Sequence, residues 1–130
     1  MVLLMNKCPL LGLRVLLVED DPIIALGSLS TLAEAGAEVV GPAYTVAQAL
    51  ALIENRQIDA AILDYRLEAE TASRVAVWLS ARNVPFLFYT STRAGAQQEH
   101  PGIPIVDKPA RPEELVAAIR ALTIKLSASR

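Results

Sequence analysis

The chain has 130 residues and a mass of 14.0 kDa, which is enough for one domain with its own core and too little for two ordinary domains. Hydrophobic residues make up 53% of it, a share that excludes global disorder. With 12 basic and 14 acidic residues the net charge is −2, so nucleic acid is not expected as a partner. The single cysteine, Cys8, excludes an internal disulfide and a cysteine-based metal site, and it favours a reducing, cytoplasmic setting. No apolar run approaches the roughly 18–20 residues that a membrane span needs, so membrane insertion is not expected.

The first residues do not have the pattern of a secretory signal. Residues 1–5 are apolar, but the first positive charge, Lys7, follows them instead of preceding them, and no small-residue cleavage site comes after. Residues 1–12 are therefore predicted to be an N-terminal extension. The domain is predicted to occupy residues 13–125, followed by a tail at 126–130.

Five short apolar runs with the character of buried strands are separated by segments with helical spacing. The strands are predicted at residues 13–18, 38–41, 58–63, 84–89 and 103–106. Alternation of strands and helices in one pass, with strands apolar on both faces, indicates an α/β fold with a parallel sheet covered on both sides.

The helix boundaries follow from capping residues and breakers. Asp21 is suited to cap a helix that begins at Pro22 and ends near Gly36, in which Ile23 and Leu26 keep the apolar spacing. Thr45 is expected to cap the second helix, residues 71–82 form the third, and the last begins near Arg111 with Pro112 in its first turn.

The fourth helix is predicted to be short or irregular. The stretch between Thr90 and the lysine at 108 must also hold the last strand, and the whole stretch contains two glycines and two prolines. The irregular segment is placed at about residues 92–102. His100, in this polar stretch, is expected to be solvated.

Polar side chains follow four of the predicted strands. These side chains are Glu19, Asp20, Asp21, Asp64, Thr90, Ser91, Asp107 and Lys108. In an open α/β sheet the carboxyl ends of parallel strands form the binding edge, so these groups converge there. Crowded carboxylates repel one another unless a cation joins them, and a hard divalent ion such as Mg²⁺ suits oxygen ligands. A carboxylate beside such an ion is a candidate nucleophile toward phosphorus, and the lysine supplies a fixed positive charge.

At these residues the sequence resembles the receiver domain of bacterial two-component response regulators. The matching pieces are LLVEDDP (16–22), AAILDYRL (60–67), PFLFYTS (85–91) and VDKP (106–109), in family order. The resemblance implies a flavodoxin-like (CheY-like) three-layer sandwich with a five-stranded sheet of order 2-1-3-4-5. It also implies phosphorylation of one aspartate by a histidine kinase, with Mg²⁺ as cofactor.

The resemblance assigns roles to individual residues. Asp64 matches the phosphoacceptor, Asp20 the carboxylate that binds Mg²⁺ directly, and Glu19 its neighbour that acts through water. The backbone carbonyl of Arg66 is implied as a further metal ligand. The remaining matches are Thr90 and Ser91 at the switch hydroxyl, Lys108 as the phosphoryl-binding lysine, and Pro109 as the proline after a cis peptide bond.

Three positions depart from the family pattern or tune it. Ile105 stands where the family usually has an aromatic switch residue, so we expect phosphorylation instead to order residues 91–102. The resemblance implies that Arg66 and Thr92 flank the approach of the hydrolytic water. Arginine has no acceptor to hold that water, so self-dephosphorylation is expected to be slow.

A narrower resemblance points to stand-alone receivers with a Phe-Ala-Thr-Gly motif, which are linked to histidine kinases of the HWE type. It rests on GPAYTVAQALALI (41–53) and VPFLFYTS (84–91), with Tyr89 in place of the motif's alanine and Ser91 in place of its glycine. A single-domain regulator is expected, not an enzyme acting on a separate substrate. Its output would be contact with a downstream protein or relay to a histidine phosphotransferase.

Two other functions remain as alternatives. A flavodoxin-like module that binds a small molecule or nucleotide shares the fold, but its first loop carries hydroxyls where this loop is acidic. A phosphatase of the haloacid-dehalogenase type also forms an aspartyl phosphate, but it needs an Asp-x-Asp motif after the first strand, which Glu19-Asp20-Asp21 does not supply.

Overall fold

The computed structural model describes residues 8–128, and the side chains of residues 8–124. Its strands are β1 (Arg14–Val18), β2 (Glu38–Ala43), β3 (Ala60–Leu63), β4 (Phe86–Thr90) and β5 (Ile105–Asp107). Its helices are α1 (Pro22–Glu34), α2 (Val46–Asn55), α3 (Ser73–Ala81), α4 (Arg93–Glu99) and α5 (Pro112–Ala128). Strands and helices alternate along the chain, as the sequence predicts.

All five strands are parallel and lie in the order β2-β1-β3-β4-β5. Successive strand side chains point to opposite faces, so β1 sends Leu16 and Val18 into one apolar cluster and Val15 and Leu17 into the other. The first cluster is completed by α2, α3 and the buried Ala96 of α4, and the second by α1 and α5. The predicted three-layer sandwich of order 2-1-3-4-5 is confirmed.

The side chains of Asp21 and Thr45 cap the N-termini of α1 and α2. Asp21 Oδ1 accepts the backbone N–H groups of Ile23 (2.9 Å) and Ile24 (3.2 Å), and Thr45 Oγ1 accepts that of Gln48 (3.1 Å). Each bond satisfies a donor that the helix itself leaves free. Asp21 therefore acts as a cap, and the chain turns into α1 directly after Glu19 and Asp20.

Part of the predicted N-terminal extension packs on the domain. Leu10 is fully buried in the cluster beneath α1, and its N–H donates to the carbonyl of Ala35 at 2.9 Å. A Cβ at Gly36 would lie 3.1 Å from Leu11 Cα, so this close approach suits glycine. Residues 1–7 of the extension and residues 129–130 of the tail lie outside the described residues.

The apolar face of α1 differs from the expected one. Ile23 and Leu26 are 83% and 66% exposed, while Ala25, Ser28 and Leu32 are buried. The helix is apolar around most of its circumference, so spacing alone does not fix which side faces the sheet. Leu32 is the one large side chain among these three buried residues, while two large side chains in the first turns of the helix are exposed.

The fourth helix is short, as predicted, with seven residues. Gly95 lies against the buried ring of Tyr65, where an added Cβ would come within 2.9 Å of Cε2. His100, expected to be solvated, is instead half-buried: its Nε2 lies 3.0 Å from Ser73 Oγ and its ring 5.5 Å from that of Phe88. Polar neighbours in the sequence did not reveal this packing.

An exposed ion pair joins the start of α4 to the end of β5. Arg93 Nε lies 2.9 Å from Asp107 Oδ1, and a second guanidinium nitrogen donates to Asp107 Oδ2 (2.9 Å) and to the carbonyl of Ile105 (3.2 Å). The hydrogen bonds from Arg93 lower the pKa of Asp107.

Within the described residues, no helix is long and apolar enough to cross a membrane.

We predict that Arg93→Ala speeds amide hydrogen exchange in residues 93–99 by a few-fold, since exposed ion pairs contribute little but α4 has few other contacts. Exchange followed by NMR checks this. Arg56→Ala is the control, because it removes an exposed ion pair with Glu38 at the other edge of the sheet. Unchanged exchange in α4 of Arg93→Ala would show that the pair does not hold the helix.

Candidate functional site

The candidate site lies at the carboxyl ends of β1, β3, β4 and β5. Glu19 and Asp20 follow β1 directly, Asp64 follows β3, Thr90 ends β4 and Lys108 follows β5. The strands are parallel, so their ends meet at one edge of the sheet. Residues as far apart in sequence as 19 and 108 become neighbours there.

Lys108 is the centre of this site. Its Nζ donates to Glu19 Oε1 at 2.6 Å and to Asp64 Oδ2 at 2.7 Å. The side chains are largely buried, with exposed fractions of 12% for Lys108, 3% for Glu19 and 10% for Asp64. Charged side chains are rarely buried to this extent without a partner, so the three form one electrostatic unit.

Burial and hydrogen bonding shift the pKa values of this unit. Burial raises the pKa of Glu19 above its usual value, an effect that the hydrogen bond from Lys108 opposes without cancelling. Burial alone would lower the pKa of Lys108, but hydrogen bonds to Asp64 and Glu19 outweigh it and the pKa is raised. The lysine therefore stays charged over the whole neutral range.

Three carboxylates fit a divalent metal ion. Oxygen atoms of Glu19, Asp20 and Asp64 lie within 4.8 Å of one another. Lys108 already neutralises part of the charge of Glu19 and Asp64, whereas Asp20 forms no ion pair among the residues whose side chains are described. An oxygen-only donor set of this kind suits Mg²⁺.

The backbone after β3 orients the carboxylate of Asp64. The N–H of Arg66 donates to Asp64 Oδ1 at 3.3 Å, while Lys108 holds the other oxygen. The side chain of Arg66 is exposed. The roles expected for its carbonyl as a metal ligand and for its side chain in hydrolysis stay predictions.

Thr90 is fully buried, and its hydroxyl is engaged within its own loop. Thr90 Oγ1 lies 2.9 Å from Thr92 Oγ1 and accepts the N–H of Thr92 at 3.2 Å. A role as the switch hydroxyl would require these bonds to be exchanged for one to a phosphoryl oxygen. Ser91 is exposed, and Ile105 is a half-buried aliphatic residue packed against the first cluster.

The sequence analysis missed one functional candidate beside the lysine, Tyr89, whose ring centroid lies 5.6 Å from Lys108 Nζ. The sequence signal that could have revealed Tyr89 was its position, where the Phe-Ala-Thr-Gly motif has alanine.

Two further features lie next to the site residues. Asp107, which is unusual before Lys108, forms an ion pair with Arg93 at the surface. The peptide bond before Pro109 is cis as expected, and the one before Pro42 is cis without having been expected.

A family model described as "Response regulator receiver domain" matches residues 15–120. The chain belongs to this family. The acidic cluster, Asp64 and Lys108 thus lie within a receiver domain, and the resemblance drawn from four short motifs is confirmed.

Solved structures show the same fold. The response regulator PhyR from Brucella abortus superimposes with a TM-score of 0.83 at 25% identity, over 99% of this chain and 55% of that one. The solution structure of SdrG from Sphingomonas melonis Fr1 gives 0.75 at 35% identity, over 86% and 96%. A CheY-like receiver domain protein from Methanospirillum hungatei JF-1 gives 0.79 at 22%, over 90% and 98%. The chain spans about half the length of PhyR, and a search of curated proteins found no match.

We predict that Asp20→Asn weakens Mg²⁺ binding at least about tenfold, since it removes a full ligand charge at contact distance. A Mg²⁺ titration followed by amide chemical shifts measures this. Asp21→Asn is the matched control: it makes the same change in net charge one residue away, and asparagine caps a helix as well as aspartate. Equal weakening in both variants would mean that overall charge, not ligation, holds the ion.

Proposed function

We propose that this protein is a response regulator that accepts a phosphoryl group on Asp64 from a histidine kinase, with Mg²⁺ as cofactor. The observation that carries the proposal is the ammonium of Lys108, 2.7 Å from Asp64 Oδ2 inside a buried acidic cluster. The ammonium of Lys108 beside Asp64 can offset the negative charge of a phosphoryl group that is transferred to this carboxylate.

The transfer forms one bond and breaks another. An oxygen of Asp64 attacks the phosphorus of a phosphohistidine, the new O–P bond forms, and the P–N bond breaks to leave the partner's imidazole. Lys108 binds Asp64 before the attack and offsets charge on the phosphoryl oxygens after it. When bound by Glu19, Asp20 and Asp64, Mg²⁺ would neutralise further negative charge at the reacting group.

A protein donor is supported by the surface around the site. Ile23 and Leu26 are exposed on the first two turns of α1, directly after the acidic loop of Glu19 and Asp20. Large exposed apolar side chains beside a reactive carboxylate favour contact with a partner protein. The HWE type of the kinase, a histidine phosphotransferase as further partner and the cytoplasmic location rest on the sequence resemblance and composition.

The output is proposed to be contact with a downstream protein or phosphoryl relay. The hypothesis that phosphorylation orders residues 91–102 stays a prediction; the helix α4 (Arg93–Glu99) lies within this segment. A further change proposed here is a repositioning of the loop at Thr90. Its hydroxyl would leave Thr92 for the phosphoryl group, and α4 would shift with the residues that precede it.

A flavodoxin-like binding module is the second candidate, and the site argues against it. Glu19, Asp20 and Asp64 would repel the phosphate of a flavin or nucleotide in the absence of a cation. Flavin absorbance in the purified protein would favour this alternative.

We predict that acetyl phosphate labels the wild-type protein in a Mg²⁺-dependent reaction and that Asp64→Asn takes no label, since the amide is not a nucleophile. Intact-protein mass spectrometry measures the added phosphoryl group. Asp59→Asn is the control, because Asp59 lies at the opposite end of the strands from the site, beside Arg14 at the start of β1. The side-chain oxygen of an asparagine at this position can still accept the backbone N–H of Arg14. Undiminished labelling of Asp64→Asn would contradict the assignment of Asp64 as the phosphoacceptor.

We predict that self-dephosphorylation of the wild-type protein is slow and that Arg66→Asn speeds it about fivefold. This factor corresponds to one hydrogen bond from the new amide to the attacking water. The exposed arginine is free to fold over phosphoryl oxygens and shield them, and the hydroxyl of Thr92 is engaged with Thr90. The decay of label after removal of acetyl phosphate measures the rate. Arg74→Asn, an exposed arginine on α3, should leave it unchanged. A rate in Arg66→Asn equal to or below the wild-type rate contradicts shielding.

A further inference from the structure

Tyr89 occupies the space between the candidate site and the helices behind it. The residue is 9% exposed and lies on the α1 and α5 side of the sheet, with its ring centroid 5.6 Å from Lys108 Nζ. Its hydroxyl accepts the N–H of Ala110 at 3.2 Å. We propose that Tyr89 is a positioning residue that holds Lys108 against Asp64; this inference rests on the proposed function.

The backbone around Lys108 is fastened to β4 on both sides. Before the cis peptide bond, the N–H of Lys108 donates to the carbonyl of Thr90 at 3.1 Å. After it, the N–H of Ala110 donates to the hydroxyl of Tyr89. Two adjacent residues of one strand thus clamp the turn that carries the lysine, which fixes the origin of its side chain.

The ring also acts on the ammonium itself. A cation within about 6 Å of a ring centroid is attracted to the aromatic face, and more strongly where water is excluded. The side chain of Lys108 is 12% exposed, so the contact between the ammonium and the ring lies where most water is excluded. A lysine stem that loses such a support regains rotamers, and holding it in place then costs entropy.

Tyr89 also lines a cavity of about 250 Å³ between α1 and α5, together with Ile24, Ser28, Ala110 and Leu115. The hydroxyl bond with Ala110 fastens the ring to the backbone two residues after Lys108.

The test compares Tyr89→Phe, which loses only the hydroxyl, with Tyr89→Leu, which also loses the ring. We expect the labelling rate with acetyl phosphate to fall about threefold in Tyr89→Phe and about tenfold in Tyr89→Leu, as one hydrogen bond and one cation contact predict. Tyr44→Phe, an exposed tyrosine, controls for the chemical change. Leu115→Ala controls for stability, since it opens the same apolar cluster without removing the hydroxyl or the ring.

A second readout does not depend on phosphorylation. The ¹H–¹⁵N signal of the Lys108 ammonium should be sharp in the wild type and in Leu115→Ala, and should broaden or shift in Tyr89→Leu with partial rescue in Tyr89→Phe. Melting temperatures that fall while this signal and the labelling rate stay at wild-type values would overturn the inference. If the wild type takes no label, the proposed function fails, and the ammonium signal still decides whether Tyr89 positions the lysine.

Discussion

The pair of hydrogen bonds from Lys108 to Glu19 and Asp64 is the interaction on which the site depends. It places one ammonium between two carboxylates, with Nζ–O distances of 2.6 and 2.7 Å, where all three side chains are largely buried. Removing one partner of a buried charge pair costs about 3–5 kcal/mol in general, because the remaining charge is left without solvent or counter-charge. The three side chains therefore depend on one another, because the loss of one leaves another buried without its partner.

The cluster carries more negative charge than Lys108 offsets. One lysine cannot neutralise Glu19, Asp20 and Asp64 together, and Asp20 is the carboxylate it does not reach within the described contacts. A divalent cation would offset this surplus, and together with Lys108 it would offset the further negative charge of the proposed phosphoryl group. Burial raises the pKa of Glu19, and the hydrogen bond from Lys108 opposes this without cancelling it.

The neighbouring residues Tyr89 and Thr90 of β4 contact different parts of the site. The hydroxyl of Thr90 lies 2.9 Å from that of Thr92 in the following loop. Tyr89 lies on the side of α1 and α5, and its hydroxyl accepts the N–H of Ala110 in the turn after the lysine. The short helix α4 packs through Gly95 on Tyr65, the residue after Asp64. Adjacent residues of one strand have different neighbours because strand side chains alternate between the two faces of the sheet.

The sequence by itself determined the fold and the members of the acidic cluster. Alternating apolar runs and helical spacing, with caps at Asp21 and Thr45, predicted the strands and helices, and four motifs at strand ends predicted Asp64, Lys108 and their neighbours. These signals are local or follow from the rule that parallel strands end at one edge. Only the tertiary structure decided that Ile23 and Leu26 face solvent, that His100 packs on Phe88, and that the ring of Tyr89 lies beside Lys108. Each of these depends on which side of an element meets residues far away in sequence, and neither periodicity nor residue type records that contact.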